Sequence, residues 1–172
     1  MTAPDDAPLP VDAETALAHA PPGHKDELRL WLRLLTCTNL IEGEIRTRLR
    51  ERFATTLPRF DLLAQLHREP DGMTLADISR RMMVSNGNIT GLAARLEAEG
   101  LITRRASATD RRAQLLRLTP RGRREFTRQS AVHEDWIAAL FEGIAPRDRA
   151  ALFSLLGRLK AALRTALHQE AP

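Results

Sequence analysis

Between Thr74 and Gly122 the spacing of apolar residues switches from helical to extended and back again. Leu75, Ile78 and Met82 recur at helical intervals, and Ile89, Leu92, Ala93 and Leu96 do so again beyond a break at Val84. Thr74 and Ser85 stand before the two runs as N-caps, with Asp77 placed to complete a capping box on Thr74. Gly100 stops the second run. Leu101 to Arg105 and Ala113 to Leu118 then read as two strands around a polar loop. Thr119-Pro120 restarts a helix, an N-cap followed by proline at the first helical position. Few folds accommodate that order. It reads as a helix-turn-helix followed by a β-hairpin.

The charge is concentrated in the same region. From Leu101 to Arg128 there are nine arginines (104, 105, 111, 112, 117, 121, 123, 124 and 128) against Asp110 and Glu125, a local net charge of +7. The whole chain carries +4, so everything else sums to −3. A cationic patch beside a helix-turn-helix is the footprint of a polyanion partner, double-stranded DNA foremost.

Composition removes other classes. With 43% hydrophobic and 28% charged residues the chain is ordinary for a soluble globular protein. Leu and Ala dominate the apolar content, favouring helices. No apolar run approaches the ~20 residues needed to span a bilayer, so no membrane partner is expected. The acidic, Pro-rich start lacks the pattern of a secretion signal. A single cysteine, Cys37, excludes a disulfide framework, and a cytoplasmic setting is expected. The histidines lack metal-ligand spacing, and neither a phosphate-binding glycine loop nor a nucleophile elbow occurs. No catalytic residue, metal or cofactor is therefore expected.

The rest of the chain frames this unit. Residues 1–24 read as a flexible tail rich in Ala, Pro and Asp. Lys25 to Phe53 is a long helix with two apolar stripes. One carries Leu28, Trp31, Leu32, Leu35, Ile45 and Leu49, and the other Leu30, Leu34, Cys37 and Ile41. A helix apolar on two sides must bury both, so one side is expected against this subunit's core and the other against a second subunit. A further helix, Arg59 to Arg68, turns Phe60, Leu63 and Leu66 inward before a turn at Pro70-Asp71-Gly72. Beyond Pro120, a helix to Phe141 carries Phe126, His133, Trp136 and Leu140. A last helix from Pro146 carries Leu152, Leu155, Leu156, Leu159, Leu163 and Leu167. The organisation expected is a tail (1–24), a helical dimerisation region (25–57 and 120–172) and a winged helix-turn-helix (58–119). The fold class is mainly α with a small β-hairpin wing.

Two segments carry candidate chemistry. With Ile89, Leu92 and Leu96 inward, the helix from Asn86 to Glu99 turns Asn86, Gly87, Thr90, Gly91 and Ala94 outward, small enough to lie close to base edges in a major groove. Its two glycines cost roughly 1 kcal/mol each relative to Ala, which close backbone approach would explain. An ordinary surface helix tolerating glycine is the alternative. In the hairpin loop, Asp110 can hold a neighbouring guanidinium by a bidentate pair and aim it, which suits a narrow minor groove. The alternative there is a solvated loop with an inconsequential ion pair.

The helix-turn-helix, strand, Asp110-Arg111-Arg112 loop and second strand lead into Leu118-Thr119-Pro120-Arg121-Gly122. Together they resemble the MarR family of winged helix-turn-helix regulators. Ser85 to Leu92, Arg95-Leu96-Glu97 and Glu99 to Ile102 are similar to that family's recognition-helix region. The resemblance runs from about Glu27 to Leu167 and departs at Gly91, where many members carry a larger polar or basic residue. It implies a homodimer built on the first, fifth and sixth helices, placing Leu30, Leu34, Trp136 and Leu140 at its interface with Leu152, Leu156, Leu159 and Leu163. It implies DNA contacts from Ser85, Asn86, Gly87, Asn88, Thr90, Arg95 and Arg111. Arg112 would probe the minor groove, oriented by Asp110. It also implies a repressor released from a pseudo-palindromic operator by a small anionic effector, an aromatic acid or its coenzyme A thioester. Thr38, Asn39 and His67 are the polar candidates for that ligand. Two other readings stand beside this one. Cys37 could sense oxidants, although its place on an apolar stripe reads as a small buried hydrophobe and no tyrosine is present to support a thiolate. A winged helix could instead serve protein–protein contact, which an apolar outward face on the recognition helix would favour.

Overall fold

The computed structural model describes residues 26–106 and 114–169. Seven-residue segment 107–113, which holds Asp110, Arg111 and Arg112, lies outside the described residues, as does the tail 1–24. The elements are α1 (Asp26–Phe53), α2 (Leu57–Arg68), β1 (Met73–Thr74), α3 (Leu75–Met82), α4 (Asn86–Ala98), β2 (Ile102–Ala106), β3 (Gln114–Leu118), α5 (Pro120–Leu140) and α6 (Pro146–Gln169). The chain divides into two compact units between Leu62 and Leu63.

In the first unit α1 is long and only partly covered. Its buried residues are Ile45 and Leu49, with Arg46 and Arg48 paired to Glu42 and Glu44 one turn earlier, each at 2.5 Å. Both apolar stripes are open towards the N-terminal end, where Leu28, Leu30, Trp31 and Leu35 are exposed. The expectation that one side would be buried within the subunit along the helix holds for its C-terminal half alone. Cys37 is exposed in the single chain, so it is not a buried hydrophobe of this subunit's own core. The stripe it shares with Leu30 is uncovered there.

The second unit has a well-defined core. Leu63, Leu66, Met73, Ile78, Ile89, Ala93, Leu96, Leu101, Ile102, Leu116 and Phe126 are all buried. Apart from Ala93, side chains of this size contribute about 1.5–3 kcal/mol each when fully buried. These are the positions at helical spacing in α3 and α4 and the inward positions of the strands. Order in the sheet is β1-β3-β2, all antiparallel, so β3 is central. The two-residue strand β1 was not legible, because a strand that short has no periodicity. Gly72 lets it approach: φ is +94° there, and a Cβ would stand 2.8 Å from the Leu116 carbonyl oxygen and 2.7 Å from Arg117 Cγ. Arg117 Nε also donates to the Asp71 carbonyl at 2.6 Å, closing that turn onto β3.

Candidate nucleic-acid interface

The helix-turn-helix is held by local hydrogen bonds. Thr74 caps α3, its Oγ1 accepting from the Asp77 N–H at 3.1 Å and donating to the Asp77 carboxylate at 2.7 Å. That bond, with Arg80 alongside, holds the Asp77 carboxyl below its ordinary value. α3 ends at Met83, a left-handed residue with φ 55°. Ser79 then fixes the turn, its hydroxyl donating to the Val84 carbonyl at 2.5 Å while its own carbonyl accepts from the Val84 N–H at 3.2 Å.

α4 buries Ile89, Ala93 and Leu96 and leaves Asn86, Gly87, Asn88, Thr90, Gly91, Ala94 and Arg95 exposed. The outward face is small and polar, as its spacing implies. A Cβ at Gly87 would meet nothing within 4 Å, and one at Gly91 only the tip of Arg95, so neither glycine is demanded by packing within the chain. Ser85 occupies the N-cap position, but its side chain makes no capping bond. The expectation of a serine cap is therefore corrected: the first turn of α4 presents N–H groups that its own cap leaves unmatched, at the positive end of the helix dipole. Such an end suits phosphate. The Thr90 hydroxyl donates back to the Asn86 carbonyl at 2.8 Å, and Arg95 Nε lies 3.3 Å from the Gly91 carbonyl.

At its other end α4 stops at Gly100, whose φ is +69°. The Gly100 N–H donates to the Glu97 carbonyl at 2.9 Å and the Leu101 N–H to the Leu96 carbonyl at 2.9 Å, a Schellman closure that feeds directly into β2. Five residue pairs, from Ile102 opposite Leu118 to Ala106 opposite Gln114, join β2 to β3. Arg104 on β2 reaches Glu97 on α4 at 2.8 Å. The hairpin is thereby tethered to the helix.

Not all of the arginine cluster faces outward for a partner. Arg104 is held by Glu97, Arg117 by the Asp71 turn, Arg121 by the Glu99 carbonyl at 3.0 Å and Arg128 by Glu125 at 2.8 Å. Arg105, Arg123 and Arg124 are exposed and have no partner among the described residues. Within the described part of the cluster, these three are the cations open to an anion. Two cavities lie nearby. One of about 690 Å³ is lined by Leu118, Pro120, Arg123, Arg124, Thr127 and Arg128. The other, about 240 Å³, is lined by His67, Phe126, Thr127, Ser130, Ala131 and Glu134. There His67 stacks obliquely on Phe126, centroids 4.9 Å apart, and its buried Nδ1 has no hydrogen-bond partner.

A family model for the MarR family matches residues 55–113. The transcriptional activatory protein BadR of Rhodopseudomonas palustris is 35% identical over 97 residues, 55% of this chain and 55% of that protein. This chain thus spans little more than half the length of that curated relative. Among solved structures, a MarR family regulator from Silicibacter pomeroyi superposes with a TM-score of 0.65 and 29% identity, over 88% of this chain and 99% of that one. Residues 55–113 thus carry the pattern of the MarR family, and the chain shares the winged helix-turn-helix fold of MarR family regulators. Streptococcus pneumoniae FabT, solved in complex with DNA, shares the fold with a TM-score of 0.68 and 24% identity, over 82% of this chain and 99% of that one.

Within that MarR architecture the structure brings Ser85, Asn86, Gly87, Asn88, Thr90 and Arg95 together on one exposed face of α4. Of the ligand candidates, only His67 lines a described cavity. Thr38 and Asn39 are exposed on α1, and the Thr38 hydroxyl donates to the Leu34 carbonyl at 2.9 Å. Among the residues named for a dimer, Leu30, Leu140, Leu152, Leu156 and Leu163 are exposed, and Leu34, Trp136 and Leu159 are half-buried. Sequence reasoning singled out neither the larger arginine-lined cavity nor Met83. The closely spaced Arg123, Arg124 and Arg128 signalled the first; nothing in the residue pattern signalled the second. No described helix is long and apolar enough to cross a membrane.

Proposed function

We propose that this chain is a MarR family regulator that acts as a homodimer, represses transcription by holding a pseudo-palindromic operator and releases it when a small anionic effector binds. The observation that carries the DNA reading is the exposed face of α4. It is small, polar and free of large apolar groups, with unmatched N–H groups at its leading end. An apolar outward face, which protein–protein use would favour, is not what this helix presents. Two copies would place their α4 helices in successive major grooves roughly 10 bp apart. Asp110 would orient Arg112 towards the minor groove beside them.

For the effector, charge chooses between the two cavities. The smaller one contains the Glu134 carboxylate and neither Arg nor Lys, a poor setting for an anion. The larger combines apolar lining from Leu118 and Pro120 with the open guanidiniums of Arg123 and Arg124, which suits an aromatic acid or the phosphates of its coenzyme A thioester. Effector binding can release DNA only through a higher affinity for the form that fits the operator poorly.

Gel retardation and titration with DNA from upstream of the gene test the proposal. Binding should weaken steeply with salt, and Arg112→Ala should lower affinity by ~1–3 kcal/mol. Loss of retardation on adding an aromatic acid, abolished by Arg124→Ala and retained in His67→Ala, would support the effector site. Retention in Arg124→Ala with loss in His67→Ala would move it to the smaller cavity. Failure of the protein to bind any upstream fragment at low salt refutes the proposal.

A further inference from the structure

Among the described residues, the exposed large apolar side chains lie on α1, α5 and α6 with two exceptions, Met83 and Val84. A second copy packed on those helices would account for the first group. It leaves the exceptions without a role. Met83 is 92% exposed, more than any other large apolar residue described, and Val84 is 38% exposed. They form the turn between α3 and α4, immediately before the open leading end of the recognition helix. This turn is well fixed. Met83 donates its N–H to the Arg80 carbonyl at 3.4 Å, and Ser79 clamps Val84 through both its hydroxyl and its carbonyl. Met83 is also left-handed, with φ 55°, a conformation that penalises most side chains with a Cβ and that Gly, and next to it Asn, adopts more readily. The fold thus holds a long, flexible apolar side chain out into water, on a clamped turn, at a backbone position that disfavours it. No internal contact explains that choice.

We infer that Met83, with Val84 beside it, is an apolar contact to duplex DNA at the rim of the groove that α4 enters, packing on thymine methyl groups or deoxyribose. This inference rests on the DNA-binding reading above. Continuity with the leading end of α4 argues for the occupant: the side chain starts three residues before Asn86, and the major groove exposes an apolar group at every thymine. A thioether chain adapts to such irregular surfaces. Because the contact neutralises no phosphate, it adds affinity without adding salt dependence.

Met83→Gly and Met83→Asn test it on the full chain, since both residues suit a positive φ and should melt no lower than the original. Upstream DNA that the unaltered protein retards is titrated with each variant over a range of salt concentrations. Both should bind about fivefold to tenfold more weakly at every salt concentration, with the slope of log affinity against log salt unchanged. Replacing thymines singly by uracil locates the contact: a position that weakens the original protein but not Met83→Gly identifies a methyl group, and no such position with the variants still weakened identifies deoxyribose. Equal affinity of the variants and the original protein overturns the inference while leaving the DNA reading intact. Equal affinity with altered transcription by polymerase assigns the turn to a protein partner and overturns it equally. If the unaltered protein retards no DNA, the underlying reading itself has failed.

Discussion

Gly122 shows how a single missing side chain can set the distance between two elements. It lies in the first turn of α5, against the segment that leaves α4, and a Cβ there would stand 1.9 Å from the Leu101 carbonyl oxygen. No rotamer relieves a backbone overlap of that size. Gly122→Ala should destabilise the protein by roughly 2–4 kcal/mol, read as a lower midpoint in denaturant. The glycines on α4 behave oppositely, because the space over them is open; Gly91→Ala should raise stability by ~0.5–1 kcal/mol. Identical midpoints for the two variants would contradict both assignments. Titration is also a property of single residues. Burial holds the His133 imidazole below its ordinary value of 6.5, opposed by the nearby Glu134 carboxylate. The unfolded chain therefore takes up this proton more readily than the folded one, and stability from this site is complete above the ordinary value. It falls away as pH drops below 6.5 towards the depressed folded value. Melting temperatures between pH 8 and pH 5 should fall for the unaltered protein and fall less for His133→Gln. Parallel curves would show that the site contributes nothing.

At the scale of elements, two caps that look alike in sequence do different things. Thr119 Oγ1 accepts from the Gly122 N–H at 3.0 Å and lies 2.7 Å from the Gly100 carbonyl, joining the start of α5 to the end of α4. Thr119→Ala should cost about 1–2 kcal/mol in denaturant unfolding. Ser85 makes no capping bond, so Ser85→Ala should cost under ~0.5 kcal/mol. If the two losses were equal, Ser85 would have to cap α4 in solution. Most elements were legible because they declare themselves over short windows: the helical spacing of Ile78, Ile89 and Leu96, the stop at Gly100, and Thr119-Pro120. What was illegible depends on partners distant in the chain. β1 exists because β3 pairs with it, and Arg117 is tied to Asp71 across 46 positions. Nine arginines read as one open patch, yet four have internal partners that no local pattern announces. The exposure of Cys37 was missed for a related reason: an apolar stripe states that a face will be covered without stating by which chain.

For the whole molecule, that stripe becomes the central question. α6 exposes Leu152, Phe153, Leu155, Leu156, Leu163 and Leu167, and α1 adds Leu28, Leu30, Trp31, Leu35 and Leu40. Exposed apolar surface on this scale marks an association site in a soluble protein. A symmetric dimer, in which each copy offers the same helices, is the commonest way to cover it. Ending the chain after Phe141 removes the whole of α6 and its leucines. Sedimentation should show a dimer for the full chain and a monomer or disordered aggregate for the shortened one. Because such a truncation could also unfold what remains, the full-length Leu156→Glu/Leu163→Glu variant provides the cleaner measurement. Both residues are already exposed in a single copy, at 40% and 51%, so the change should leave the monomer's melting and its α4 face intact. Its dimer should dissociate, and operator affinity should fall with it, since one recognition helix alone loses the second half-site. A dimer of unchanged strength in both variants would place the association surface elsewhere and leave the leucines of α6 without a partner.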